Sequence, residues 1–158
     1  MSDDNRVSVR GLGPEDWRIK RELRLAALKA DEQWFGGNYA DSAARTEQQW
    51  RDWPDGAVFA AYLDEEPVGL VAGVRPEHLD GQAELISMWV GSAGRGHGLA
   101  GLLVDAVAAW AREQGCTDLY LEVMPHNESA CRAYRRSGFA EVAAPVRNAG
   151  DIAMRYRL

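Results

Sequence analysis

The sequence predicts an α/β fold: a mixed, mostly antiparallel central sheet of about six to seven strands flanked by about four helices. Three observations carry this. Three β-rich runs, 57–63, 68–74 and 83–90, follow one another with only short polar links, the pattern of an antiparallel meander. The third run leads into a glycine-rich turn, an amphipathic helix and a further strand at 119–124. Strand, helix, strand in that order requires a parallel pair joined by a crossover. The chain has 158 residues, 46% of them hydrophobic, which suits one domain with a sizeable core and argues against disorder.

Composition also narrows the function. The formal net charge is -6, which speaks against a general nucleic-acid binder and permits a cationic ligand. No apolar run approaches the roughly 18 residues of a membrane span. The polar start MSDDNRVSVR lacks the apolar stretch of a secretory signal, so a cytoplasmic protein is expected. Cys116 and Cys131 form neither a disulfide framework nor a metal-ligand spacing, and read as two reduced thiols.

The elements follow in order. Val7 and Val9 alternate with Ser8 and Arg10, a short strand stopped by Gly11 and Gly13. Pro14, Glu15 and Asp16 supply a helix start, because proline needs no N–H there and acids favour the positive end of the helix dipole. Ile19, Leu23, Ala26, Ala27 and Ala30 recur at helical spacing and predict one face against a core. Gly36-Gly37-Asn38 breaks the pattern, 42–52 predicts a short helix with Trp50 inward, and Pro54-Asp55-Gly56 predicts a turn. Trp34, Phe35, Tyr39, Trp50 and Trp53 fall together in this segment. Such rings either line a substrate pocket or pin a loop to the core. Asp64-Glu65-Glu66-Pro67 joins the first two runs of the meander, and 76–82 is a second polar link.

After the glycine turn, Leu99, Leu102, Leu103, Ala106, Val107 and Trp110 form one broad apolar stripe, and Gly115 ends the helix. Pro125-His126-Asn127 leads into another helix with Ala130, Cys131 and Tyr134 on one face. Gly138 stands where a helix C-terminal cap belongs. Runs 139–144 and 152–158 close the chain as paired strands, whose edges leave room for a homodimer.

The turn itself reads Gly94-Arg95-Gly96-His97-Gly98-Leu99-Ala100-Gly101. A helix start leaves about four backbone N–H groups unpaired and carries partial positive charge. Glycines let a phosphate approach such a backbone closely. Alone, the turn is either a pyrophosphate cradle with Arg95 as a charged helper or a tight connection without a ligand. Gly96-x-Gly98-x-x-Gly101 also fits the dinucleotide fingerprint, with Glu122 near the distance of a ribose acid. The preceding meander and the short chain after Glu122 weigh against that reading. No lysine follows the glycines, so a P-loop is excluded.

At these residues a resemblance emerges. Arg95-x-x-Gly98-x-Ala100 resembles the acetyl-CoA signature of the GNAT superfamily of N-acetyltransferases, Arg/Gln-x-x-Gly-x-Gly/Ala. The preceding strand ends at Val90, five residues before Arg95, as is common in the family. A second segment, Asn127-x-x-Ala130-x-x-x-Tyr134-x-x-x-Gly138-Phe139, also matches; Ser92 replaces a frequent proline. The resemblance implies an acyl-CoA N-acyltransferase fold over a single N-acetyltransferase domain, 1–158, with acetyl-CoA as cosubstrate and no metal. It implies that the N–H groups of Gly96, His97, Gly98, Leu99 and Ala100 bind the CoA pyrophosphate, with Arg95 shaping the loop. The strands at 83–90 and 119–124 would splay, and the pantetheine arm would enter between them against the backbone of Met88 and Val90. Asn127 would hold the cofactor from the other side.

Direct transfer to an amine needs the amine deprotonated and the departing thiolate protonated. Tyr134 matches the family tyrosine beside the CoA sulfur and is assigned as general acid on that resemblance; by spacing alone it reads as a core aromatic. Glu84, 11 residues before Arg95, matches the strand offset of the catalytic glutamate in histone-type members and is the candidate base. Glu122 and ordered water compete for that role. His97 is read as solvated, His126 as a weak flanking candidate, and Cys131 as a packing residue. The expected acceptor is an amine of a small molecule or peptide, held by 31–55 and 144–151. A non-catalytic acyl-CoA sensor on the same fold is the alternative.

Overall fold

The computed structural model describes residues 6–31 and 38–158. Seven strands form one sheet in the order β1-β2-β3-β4-β5-β7-β6. Strand β1 is Val7–Gly11, β2 Gly56–Leu63, β3 Glu66–Val74 and β4 Gln82–Val90. Each of these four pairs antiparallel with the next, so the meander is present with β1 added at its edge. Strand β5, Asp118–Val123, lies parallel to β4. Strand β7, Ile152–Arg157, inserts antiparallel between β5 and β6, Ala140–Val142. The closing strands are paired as expected, but β6 is shorter than the predicted 139–144.

The β2–β3 link is tighter than the four-residue one read from sequence. Only Asp64 and Glu65 form it, both at positive φ, 50° and 69°, and Glu66 and Pro67 already pair within β3. Two consecutive left-handed residues give a turn whose twist matches that of the strands it joins.

Five α-helices are present among the described residues: α1 Trp17–Asp31, α2 Tyr39–Ala43, α3 Glu47–Asp52, α4 Leu99–Glu113 and α5 Glu128–Arg136. The single helix predicted at 42–52 is broken in two. Thr46 is the reason: its hydroxyl caps α3 by accepting from the Gln49 N–H, and Gln49 reaches back to the Thr46 N–H at 2.9 Å. This reciprocal capping box starts a helix afresh.

The sheet separates two apolar layers. On one face α4 and α5 pack over Ala61, Val71, Ala83, Leu85, Leu119, Leu121 and Met154. On the other, Leu23 of α1 packs with Val58, Ala60, Tyr62 and Leu70. The two predicted helix stripes are both rotated. In α1, Leu23, Ala27 and Leu28 are buried while Ala26 and Ala30 are exposed. In α4, Val104, Ala108 and Ala111 join Leu99, Leu103 and Val107 inside, and Leu102 is 38% exposed. Alanine carries little hydrophobic signal, so alternate stripes sharing the same leucines look alike in sequence.

The segment before β2 is tied down by Lys20. Its buried ammonium donates to the carbonyls of Trp50, Arg51 and Trp53 at 3.3, 3.1 and 2.7 Å. Trp50 is fully buried and meets Trp53 edge-on at 5.9 Å between ring centroids. These two rings pin α3 against α1, and Tyr39 is exposed. Trp34, Phe35 and Gly36-Gly37 lie outside the described residues.

Candidate active site

The site begins where β4 and β5 part. They pair only at Gln82↔Asp118, Ala83↔Leu119 and Glu84↔Tyr120. Beyond Glu84, β4 turns away: Ala72 of β3 faces Ile86, yet Leu70 faces Trp89, so three residues of β4 oppose two of β3. Ser87 takes up the extra length at φ 58°. This bulge changes the strand's alternation. Ala83 and Leu85 face α4, and after the bulge so do Met88 and Val90, while Trp89 turns to the α1 layer. The edge of β4 toward β5 is therefore left without a strand partner from Leu85 to Val90, the stretch containing both residues expected to meet the pantetheine arm.

The glycine turn follows β4. Gly91 N–H is held by the Val68 carbonyl at 2.8 Å, and Arg95 donates from Nε to the Val90 carbonyl at 3.4 Å. Arg95 also stands 3.8 Å from Asp31 and is largely exposed. The first of these contacts holds its side chain against the end of β4. Gly96 and Gly98 have φ of 86° and 71°, and a Cβ built on either would meet nothing within 4 Å. These positions thus need glycine for backbone conformation and open onto free space. Gly98 provides no side-chain cap to α4, whose first turn has no acid. None of the N–H groups from Gly96 to Gly101 finds an acceptor among the described residues. An uncapped helix start with open glycines fits a pyrophosphate. His97 is half-buried, where solvation was expected.

Tyr134 and Glu84 come to opposite faces of the sheet. Tyr134 belongs to the α4–α5 layer, 8% exposed, with Phe139 edge-on at 5.8 Å. Its hydroxyl has no hydrogen-bond partner among the described residues. Burial, with a smaller contribution from Cys131, raises its phenol well above the ordinary range. It therefore stays protonated throughout the working pH range. Burial likewise pushes the Cys131 thiol up, and its Sγ lies 3.8 Å from the Met124 carbonyl; it is a packing residue. Asn127 caps α5, its Oδ1 accepting from the Ala130 N–H at 3.4 Å. The expected cofactor contact is thus limited to the rest of this side chain.

Glu84, with Tyr120 and Glu122, emerges on the face away from α4. Glu84 is 1% exposed, and both its oxygens are taken by Arg147, whose Nη1 and Nη2 donate at 2.5 and 2.6 Å. Glu122 accepts from the Arg147 N–H at 2.9 Å, from Arg147 Nη1 at 3.4 Å and from the Tyr120 hydroxyl at 3.0 Å. Burial, then this bond to Glu122, pushes Tyr120 up to about 12. The hydrogen-bonded Glu84, outweighing desolvation, raises Arg147 above the ordinary arginine range. The arrangement removes Glu122 from a nucleotide-binding role and brings Glu84 and Glu122 together. Neither Tyr120 nor Arg147 stands out in the sequence. Arg147 lies in a loop without periodicity, and only its membership of 144–151 marks it.

The chain is 34% identical over 87 residues to N-acetyltransferase 8F1 of Rattus norvegicus, covering 53% of this chain and 39% of that protein. It is 38% identical over 65 residues to YdgE of Bacillus subtilis (strain 168), an uncharacterized N-acetyltransferase, covering 41% of each. The chain thus spans about two fifths of the curated relatives it matches. Among solved structures, yncA of Salmonella typhimurium, a putative acetyltransferase with its cofactor acetyl-CoA, shares the fold. Its TM-score is 0.73 at 18% identity, over 96% of this chain and 93% of that one. The model of the acetyltransferase (GNAT) family matches residues 25–139, well over half the sequence, from within α1 through the glycine turn to Phe139, and the chain belongs to that family.

Proposed function

We propose that this chain, as a single N-acetyltransferase domain over 1–158, transfers the acetyl group of acetyl-CoA directly to an amine of a small molecule or peptide. The observation that carries the reading is the parting of β4 from β5 directly before an uncapped, glycine-opened helix start. A thioester supplies an activated acetyl group. The N–H groups of Gly96 to Ala100 hold the pyrophosphate, and the free edge of β4 at Met88 and Val90 aligns the pantetheine arm. Asn127 and Arg95 support these contacts from either side.

Tyr134 Oη, kept protonated by burial, donates to the departing sulfur from the α5 face. Glu84, with Glu122 beside it, takes the amine proton from the other face, directly or through water. The gap between the strands lets the two groups reach one reacting centre from opposite sides. One observation favours a second reading, a non-catalytic acyl-CoA sensor: both oxygens of Glu84 are already engaged by Arg147.

A thiol-release assay with acetyl-CoA against a panel of aliphatic amines, arylamines and peptide N-termini tests the proposal. Acceptor-dependent release, with acetylated amine identified by mass spectrometry, is the expected result. Tight acetyl-CoA binding with no turnover of any amine supports the sensor. Stabilisation by NAD and not by acetyl-CoA would overturn both.

A further inference from the structure

The segment between β6 and β7 covers the acid pair, and its attachment is almost wholly polar. From 143 to 150 every residue except the half-buried Val146 is exposed. Its ties to the sheet are Tyr120 Oη to the Pro145 carbonyl at 3.3 Å, the Arg147 N–H to Glu122, and the Arg147 guanidinium to Glu84 and Glu122. No buried apolar side chain anchors it. The Arg147 side chain is 52% exposed, whereas those of Glu84 and Glu122 are 2% and 9% exposed. The carboxylates are buried in the sheet, and the cation that neutralises them is carried on an exposed segment held by polar contacts.

We propose that Arg147 determines acceptor specificity by occupying, with its own guanidinium, the place in front of Glu84 and Glu122 that a cationic acceptor takes. The reasoning is electrostatic. A carboxylate as buried as Glu84 is not left ionised without a counter-charge. A neutral ligand cannot displace Arg147, because it would strand that charge. An ammonium can, because one cation replaces another and the released guanidinium regains water. Two carboxylates against one guanidinium also leave the cluster with a net negative charge that attracts a second cation. The exchange happens at the last paired residue of β4, where the gap opens. Once seated, the ammonium passes a proton from its nitrogen to a Glu84 oxygen and becomes the amine. The substrate class is therefore aliphatic amines charged at neutral pH. That last step rests on the acyltransferase reading; the exchange does not.

The test compares putrescine, doubly charged at neutral pH, with anisidine, an arylamine that is uncharged there. A latch closed nine times in ten weakens apparent affinity about tenfold. Arg147→Ala is expected to lower KM for putrescine about tenfold and to leave KM for anisidine and for acetyl-CoA within about twofold. Arg147→Lys, which keeps the charge and loses the fork, shifts KM for putrescine in the same direction by less and serves if the alanine variant does not fold. Equal changes for both amines, or a rise in KM for putrescine, overturn the proposal. Hydrogen exchange of the wild-type amides of 146–151 is read in parallel, without turnover. Faster exchange with putrescine and unchanged exchange with anisidine support the latch; no response to putrescine overturns it, even if the chain acetylates amines. A chain that turns over neither amine yet shows the exchange response fails the catalytic reading alone.

Discussion

Glu84 and Tyr120 are the last residues at which β4 and β5 stand opposite each other. Up to that pair the sheet is continuous. After it, the bulge at Ser87 carries β4 away and leaves its edge unpaired ahead of the glycine turn. Beyond Glu84 the backbone of β4 from Leu85 to Val90 has no strand partner on its β5 side.

Gly98 and Gly115 offer a matched test of the cradle. Both have left-handed φ, 71° and 79°, and at both an added Cβ meets nothing within 4 Å. Alanine at either position should cost about 1 kcal/mol of stability from backbone conformation alone, roughly 2–4 °C in Tm for a chain of this size. Only Gly98→Ala places a methyl group at the start of α4. Calorimetric titration should show CoA binding weakened about tenfold or more by Gly98→Ala and unchanged by Gly115→Ala, a difference of about 1.4 kcal/mol. Equal affinities would remove the cradle from the helix start.

Tyr134→Phe should lower kcat by about a hundredfold, the lower end of what a positioned acid contributes. CoA affinity and Tm should stay close to wild type, because the hydroxyl has no partner among the described residues to lose. Since burial raises the phenol, its ionisation should not appear in the wild-type kcat profile below about pH 10. A Phe variant that keeps its kcat would make Tyr134 a core aromatic.

Tyr120 links stability to alkaline pH. Its folded value, about 12, lies above the ordinary 10.0. A group whose proton is held more tightly in the folded state stabilises it fully below the unfolded value, and that contribution is lost as pH rises through the folded one. Urea unfolding from pH 8 upward should show wild type losing more stability than Tyr120→Phe across the window from about 10 to about 12. Parallel curves would mean that the hydroxyl is not held by Glu122 and Pro145.

The Glu84–Arg147 pair should be asymmetric in stability. Arg147→Ala leaves a buried carboxylate without its counter-charge and should cost about 2–3 kcal/mol, discounted from the fully buried case because the guanidinium is half-exposed. Glu84→Gln leaves a half-exposed cation that water can solvate and should cost about 1 kcal/mol or less. Chemical denaturation of both variants and the double variant measures the difference, and equal single-variant costs would contradict the burial ordering.

Much of this protein is legible in its sequence by itself. The meander, the crossover, the glycine turn and its chemistry follow from patterns local in sequence: alternation within 57–63, 68–74 and 83–90, helical spacing after Leu99, and glycines at 96 and 98 whose left-handed backbone does local work. The Asn127-to-Phe139 segment declares its helix by cap residues at both ends. What the sequence leaves undecided has long-range causes. Whether Leu102 or Val104 faces inward depends on how α4 rolls against the sheet, and small residues exert little torque on that choice. The break between α2 and α3 is written in the sequence as a Thr46–Gln49 capping box, which the aromatic run around it obscures. The bulge at Ser87 has no residue signal, since only its register against β3 and the missing partner beyond Tyr120 define it. Only the tertiary structure decides that Glu84, Glu122 and Arg147 are one unit. Glu84 and Arg147 are 63 residues apart, and charges that far apart in a chain are paired only by the sheet that buries one and the loop that delivers the other.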